Sequence, residues 1–181
     1  MISNHTYKKI DFKQLNERLH WYAIYTRPNH EKEVYRKLQE QKLTAYLPLL
    51  KTIKQWSDRK KRVEEPLFRC YIFVQIQTRD YYRVLNTPGV IRYVTFEGKA
   101  VAIPENQINM VKNFLEQDMV VEEVQDLLYN GAYVEIIAGP LSGTSGELID
   151  FAGKKRVIIR LEEIGKSLVV SVPVNLLRLV G

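Results

Sequence analysis

The chain has 181 residues, 45% of them hydrophobic, with nine glycines, seven prolines and one cysteine. That is enough to bury one good core or two small ones, and too few breakers for a fibrous or disordered chain. The single Cys70 excludes an internal disulfide framework and a cysteine-based zinc cluster, and it fits a reducing, cytoplasmic setting.

Charge is uneven. Residues 1–118 carry a net +8 and residues 119–181 a net −2, which predicts two units with different partners. The first either faces a polyanion such as nucleic acid or presents a solvated basic surface.

Residues 1–18 read as an N-terminal extension without the apolar stretch of a secretory leader, and no apolar run in the chain is long enough for a membrane helix. "HWYAIYT" (20–26) is aromatic and β-branched and predicts a buried strand. Pro28 and Asn29 then open a helix, with Asn29 as N-cap and Glu31 and Glu33 in the first turn. In this helix Val34 and Leu38 share the buried face, and Glu33 pairs with Lys37 one turn on.

"TAYLPLL" (44–50) and "CYIFVQI" (70–76) predict two further strands, and the polar "KTIKQWSDRKKRVEE" between them an extended hairpin. "RDYYRVLNTPGV" predicts a short helix stopped by Pro88 and Gly89, and "IRYVTF" a strand. "PENQINMVKNFLEQ" predicts a helix that buries Ile108, Val111 and Leu115. A hairpin between two strands of an otherwise alternating pattern argues for a mixed or antiparallel sheet with helices packed on it, ending near residue 117.

Residues 118–130 mix acids with apolar residues without a clear period and read as a connector, or as a short helix docked on one of the units. From 131 the grammar changes. "AYVEIIAG", "GELIDFAG", "KRVIIRLE", "SLVVSVP" and "NLLRLV" are five short strand-like runs with no helix, the pattern of a small β-barrel. The fold class is therefore α+β.

The glycine-rich "GPLSGTSG" (139–146) invites a phosphate-binding reading. Such a loop must open a helix, and it carries a lysine followed by a hydroxyl residue. Here the next run is a strand and Gly146 is followed by Glu147, so the loop predicts a turn between two strands.

These residues resemble a family. "GAYVEIIAGPLSGTSGELIDFAGKKRVIIRLEEIG" is similar to the KOW motif, and "HWYAIYT…HEKEVYRKLQEQ", "EEPLFRCYIFVQI" and "NTPGVIRYV" resemble the NusG N-terminal (NGN) domain. Together, over residues 20–180, they resemble NusG-type transcription elongation factors. "EPLFRCYIFV" and the long basic hairpin are closer to the specialised RfaH-like and UpxY-like paralogues than to housekeeping NusG. The family pattern has proline where this chain has Arg69 and glycine or asparagine where it has Cys70, which leaves the local turn geometry open.

The resemblance implies an NGN-like antiparallel or mixed α/β sandwich at 19–117, a linker at 118–130 and an SH3-like KOW barrel at 131–181. It implies a monomeric antitermination factor that binds the clamp helices of RNA polymerase and suppresses pausing or termination on particular operons. Trp21, Tyr25, Phe68, Tyr71 and Phe73 would line the polymerase-binding hollow; the bland alternative is that they fill the sheet's core. Tyr71 and Phe73 lie on one face of their strand and Ile72 and Val74 on the other.

Two basic regions are nucleic-acid candidates. In the hairpin Lys51, Lys54, Arg59, Lys60, Lys61 and Arg62 surround Trp56, a phosphate-and-stacking pattern unless the tip is merely solvated. At the strand-to-helix junction lie Arg27, Asn29, His30, Lys32 and Arg36, the surface with which RfaH-like relatives read the non-template DNA strand; nascent RNA is the alternative ligand.

In the family the KOW barrel contacts ribosomal protein S10 or Rho. Ile164 stands at the position of an apolar contact residue, either exposed in its turn or tucked into the barrel end. Some RfaH-like relatives store this domain as a helical hairpin. The Val and Ile density here, punctuated by glycines at turn spacing, predicts a barrel instead.

His5, His20 and His30 lack carboxylate or cysteine partners at ligand spacing, and no triad order or cofactor loop is present. The sequence therefore predicts neither enzyme nor cofactor. The other readings are housekeeping NusG, a KOW-bearing RNA-binding or ribosome-associated protein and, last, a nucleotide enzyme.

Overall fold

The computed structural model describes residues 18–55, 60–116, 121–124, 131–139, 141–151, 154–161 and 164–180. The N-terminal extension up to residue 17 and the hairpin tip with Trp56 and Arg59 lie outside the described residues. In chain order the elements begin with β1 (His20–Thr26), α1 (Glu31–Glu40), β2 (Thr44–Tyr46), β3 (Leu49–Gln55), β4 (Lys60–Pro66) and β5 (Tyr71–Ile76). A 3-10 turn (Thr78–Asp80), α2 (Tyr81–Leu85), β6 (Val90–Tyr93), β7 (Thr95–Phe96), β8 (Lys99–Ala100), β9 (Ala102–Ile103) and α3 (Glu105–Glu116) follow. The chain closes with β10 (Val121–Val124), β11 (Tyr133–Ile136), β12 (Ser145–Phe151), β13 (Lys154–Leu161), β14 (Lys166–Val170) and β15 (Leu177–Leu179). Two compact units result: Met1–Leu47 with Cys70–Pro104, and Pro48–Arg69 with Glu105–Gly181.

In the first unit β1 is the centre of an antiparallel sheet, paired on one side with β5 and on the other with β6 and β9, while β2 pairs with β5. Of the two arrangements the sequence allows, the antiparallel one is found. The register puts Tyr22, Ile24, Ile72, Val74 and Tyr93 on one face. The Tyr81 ring of α2 stacks on Tyr93 there at 4.2 Å. α1 is tied to α2 through Gln41 Nε2, which donates to Thr87 Oγ1 at 3.1 Å, and it buries Val34 and Leu38 completely. Gly89 is fixed by geometry: its φ is +101°, and a Cβ there would stand 2.6 Å from Val34 Cγ2.

Two local expectations are corrected in this unit. Asn29 is not the N-cap. Its φ is 62°, and His30 N donates to the Arg27 carbonyl at 3.2 Å. Pro28 and Asn29 are thus the central pair of a tight turn, in which proline presets the first φ and asparagine tolerates the left-handed second. Cys70 is not in β5, which starts at Tyr71. Its φ of 67° holds the left-handed geometry that suits glycine or asparagine, at a cost of roughly 1–2 kcal/mol for another residue.

In the second unit β3 and β4 form the expected hairpin, paired in unbroken register from Leu49↔Pro66 to Gln55↔Lys60. α3 buries Ile108, Met110, Val111 and Phe114, whereas Leu115, in its final turn, is only half-buried. The five short runs of the C-terminal region are β11 to β15, joined in the order β14-β13-β12-β11-β15. One strand is added to them. Residues 121–124, read as connector, form β10 and pair antiparallel with β14, because the backbone groups of an outer strand take up any extended segment within reach.

The loop between β11 and β12 is a turn. The amides of Ser142, Gly143 and Thr144 donate to the carbonyls of Gly139, Ile136 and Leu141 at 3.1, 2.8 and 3.0 Å. These three donors are committed to backbone carbonyls and are not held out for a phosphate. Gly146 lies where a Cβ would meet the Ile158 carbonyl oxygen at 2.2 Å, so glycine lets β12 and β13 close. Ile164 settles between its two readings: it is 6% exposed, a buried turn residue. Burying its side chain removes apolar surface that the turn would otherwise leave in water.

Candidate functional site

The opposite face of the first sheet carries Trp21, Ala23 and Tyr25 on β1, paired with Gln75, Phe73 and Tyr71 on β5. Their exposures differ sharply. Trp21 and Phe73 are 5% and 1% exposed, and Phe68 is fully buried, so these three are core in this structure. Phe73 lies parallel to Tyr46, its register partner, at 6.2 Å. Tyr25 and Tyr71 are only half-buried.

Those two tyrosines form the accessible end of this face. Their rings meet edge to face at 5.3 Å, and the Arg92 guanidinium lies 5.6 Å from the Tyr25 ring centre. The three stand in one row across β5, β1 and β6, as Tyr25 is the register partner of both Tyr71 and Arg92. A hydrogen bond with the Cys70 side chain is the main cause that raises the Tyr25 hydroxyl above its ordinary pKa, and Arg92 pulls the other way. Sequence reading missed Arg92; its only signal was its place in "IRYVTF" (91–96). Aromatic and arginine side chains together are the composition that anchors protein interfaces.

The strand-to-helix junction is built as a rigid corner. Thr26 N donates to the Cys70 carbonyl at 2.8 Å and Arg27 N to the Gly89 carbonyl at 3.0 Å. His30 Nδ1 lies 2.9 Å from the Pro28 carbonyl; a carbonyl only accepts, so this nitrogen carries the proton. Arg27, Asn29, His30, Lys32 and Arg36 are all exposed around it. Arg36 is ion-paired with Glu40. Lys37 bonds Glu33 at 2.6 Å and holds that carboxyl below the usual carboxylate range.

Beneath the corner Glu31, 5% exposed, accepts a hydrogen bond from Cys70 N at 2.8 Å. This residue also escaped the sequence reading, which placed it only as a favourable charge at a helix start. In the hairpin, Lys51, Lys60 and Arg62 are exposed. The register partners Lys60↔Gln55 and Arg62↔Ile53 put both cations on one face. The backbones of Lys54 and Lys61 are paired across the hairpin.

An antiparallel sheet that carries an aromatic row, followed by a module of short strands, defines a two-part α+β protein. The sequence model of the family described as "Transcription termination factor nusG" matches residues 19–112, and the chain belongs to the NusG family. Relatives include the transcription termination/antitermination protein NusG of Rickettsia prowazekii, 26% identical over 81% of this chain and 83% of its own length. That of Rickettsia felis is 23% identical over the same shares. The fold is similar to a solved structure described as domain interaction in Thermotoga maritima NusG, with a TM-score of 0.54 and 19% identity over 91% of this chain and 98% of that one. Among the described residues no helix is long and apolar enough to cross a membrane.

Proposed function

We propose that this chain is a cytoplasmic, non-enzymatic elongation and antitermination factor that rides on RNA polymerase and suppresses pausing or termination on particular operons. The row Tyr71–Tyr25–Arg92 supports this reading: it offers the polymerase clamp helices two half-exposed aromatic anchors and a cation side by side. Trp21 and Phe73 carry the same sheet face into the core. The junction from Arg27 to Arg36 and the hairpin cations are the proposed contacts to non-template DNA or nascent RNA. For the C-terminal module the proposed partner is ribosomal protein S10 or Rho, which the exposed Tyr133, Leu179 and Val180 favour over the buried Ile164.

Purified RNA polymerase tests the dock. Tyr25→Ala with Tyr71→Ala should weaken binding at least about tenfold if both are anchors, with the fold retained. Equal affinity for the parent chain and the folded double variant would refute it.

A further inference from the structure

The two ends of the C-terminal sheet are finished differently. Its order runs β10-β14-β13-β12-β11-β15. At one end β15 has β11 as its sole strand partner among the described residues, and Leu179 on it is 71% exposed. At the other end Ser167, Leu168, Val169 and Val170 of β14 are at most 2% exposed. Successive strand residues point to opposite faces, so both faces of β14 are covered. What remains is its outer backbone edge. β10 lies on that edge, paired from Val121↔Val170 to Val124↔Ser167.

β10 is a poor strand by its own sequence. Two of its four residues are glutamates, a type depleted in strands. It joins β14 across β11, β12 and β13, and these strands and β14 pair as sequence neighbours without it. Four pairs that close a long loop at a sheet end are among the first to open. Charge favours this segment at this end. β13 and β14 carry Lys154, Lys155, Arg156, Arg160 and Lys166 and no acid, whereas β10 carries Glu122 and Glu123 and no cation. The acids Glu135, Glu147 and Asp150 stand on β11 and β12. Strands two places apart are about 10 Å from each other, roughly one screening length, so β10 still feels the cations of β13.

We propose that β10 is a displaceable strap. It holds shut, from within the chain, a docking edge on β14 for an extended strand of a protein partner with the chemistry of β10 itself, valines at the ends and acids between. A strand edge is a template for another chain, and here the chain supplies the first occupant. The edge takes a partner only when β10 leaves, which couples docking to release of the connector. Tyr133 and Leu179 stand at the β11–β15 end of the sheet. The β14 edge is thus a different strand edge from the surface favoured above for S10 or Rho and does not depend on that reading.

The test is amide hydrogen exchange, read by NMR on the full chain, for the parent and for Glu122→Pro with Glu123→Pro. Of two consecutive strand residues one turns its amide toward β14, so the two prolines break the pairing in either phase. The β14 amides that point away from β13 should exchange at least about tenfold faster in the variant, while β12 and β13 keep their protection. A second arm adds a synthetic peptide of residues 119–126, MVVEEVQD. At about 1 mM, the effective concentration of a short tether, it should shift the β14 resonances of the variant and bind the parent at least about tenfold more weakly. Protection lost across β12 to β14 together would make β10 an integral strand, and unchanged exchange would mean that it covers nothing; either result overturns the strap. A peptide that binds both proteins equally, or neither, overturns the docking edge.

Discussion

Glu31 and Cys70, 39 residues apart, are joined by one 2.8 Å hydrogen bond in which the buried carboxylate accepts from the cysteine amide. It ties the first turn of α1 to the residue that precedes β5, so helix start and strand start move together. Glu31→Ala leaves the Cys70 amide buried without that acceptor and should destabilise the fold by about 1–3 kcal/mol. Glu31→Gln keeps a carbonyl oxygen and should lose less. Urea midpoints at constant slope measure both; equal midpoints for all three proteins would contradict the role.

The left-handed φ of 67° at Cys70 gives a second expectation. Cys70→Gly relieves backbone strain but adds unfolded-state entropy and removes a buried side chain, so its stability should stay within about 1 kcal/mol of the parent. Cys70→Val places a β-branched residue where it fits worst and should lose clearly more than Cys70→Gly. Reversal of that order would show that the turn relaxes.

Burial, aided by Tyr81, Tyr22 and Asp80, pushes the Tyr93 hydroxyl far above its ordinary value of 10.0, and burial also raises Tyr22 and Tyr81. A raised pKa means that the folded state holds its proton longer than the unfolded chain. This stabilisation is complete below about pH 10 and is lost as pH climbs further, at up to about 1.4 kcal/mol per pH unit for each such tyrosine. Denaturation midpoints across that alkaline range should fall less steeply in Tyr93→Phe than in the parent. Parallel pH profiles would rule the effect out.

The hairpin cations Lys60 and Arg62 alternate onto one exposed face. Replacing both with Gln should reduce the salt dependence of nucleic-acid binding, by about 0.7–0.9 in slope for each phosphate that a cation had neutralised. An identical slope would make the hairpin a solvated arm only.

Much of this was legible in the sequence where composition and period agree. The aromatic, β-branched runs became β1 and β5, Val34 and Leu38 became the buried seam of α1, and the glycine spacing announced a strand-rich C-terminal module. What escaped were facts that only pairing or packing decides. Asn29 looks like a cap from its neighbours, but a turn closed by Arg27 and His30 claims it. Period two puts Tyr71 and Phe73 on one face, yet one is half-exposed and the other buried, because alternation gives a side, not a depth. β10 has no clear strand pattern of its own and exists through the backbone of β14.

Among the described residues, the first strand is also the centre of its sheet. Tyr25 pairs with Tyr71 and Arg92, and Trp21 with Ile103. During synthesis, then, β1 emerges long before its partners, and its pairing is complete only once β9 has left the ribosome. The strands from β12 to β14 pair in sequence as neighbouring hairpins and can close as soon as each is made. Loop-closure entropy thus delays the N-terminal sheet and spares only the β12–β14 portion of the C-terminal one, so the part of the protein made first is bound to finish its central sheet late.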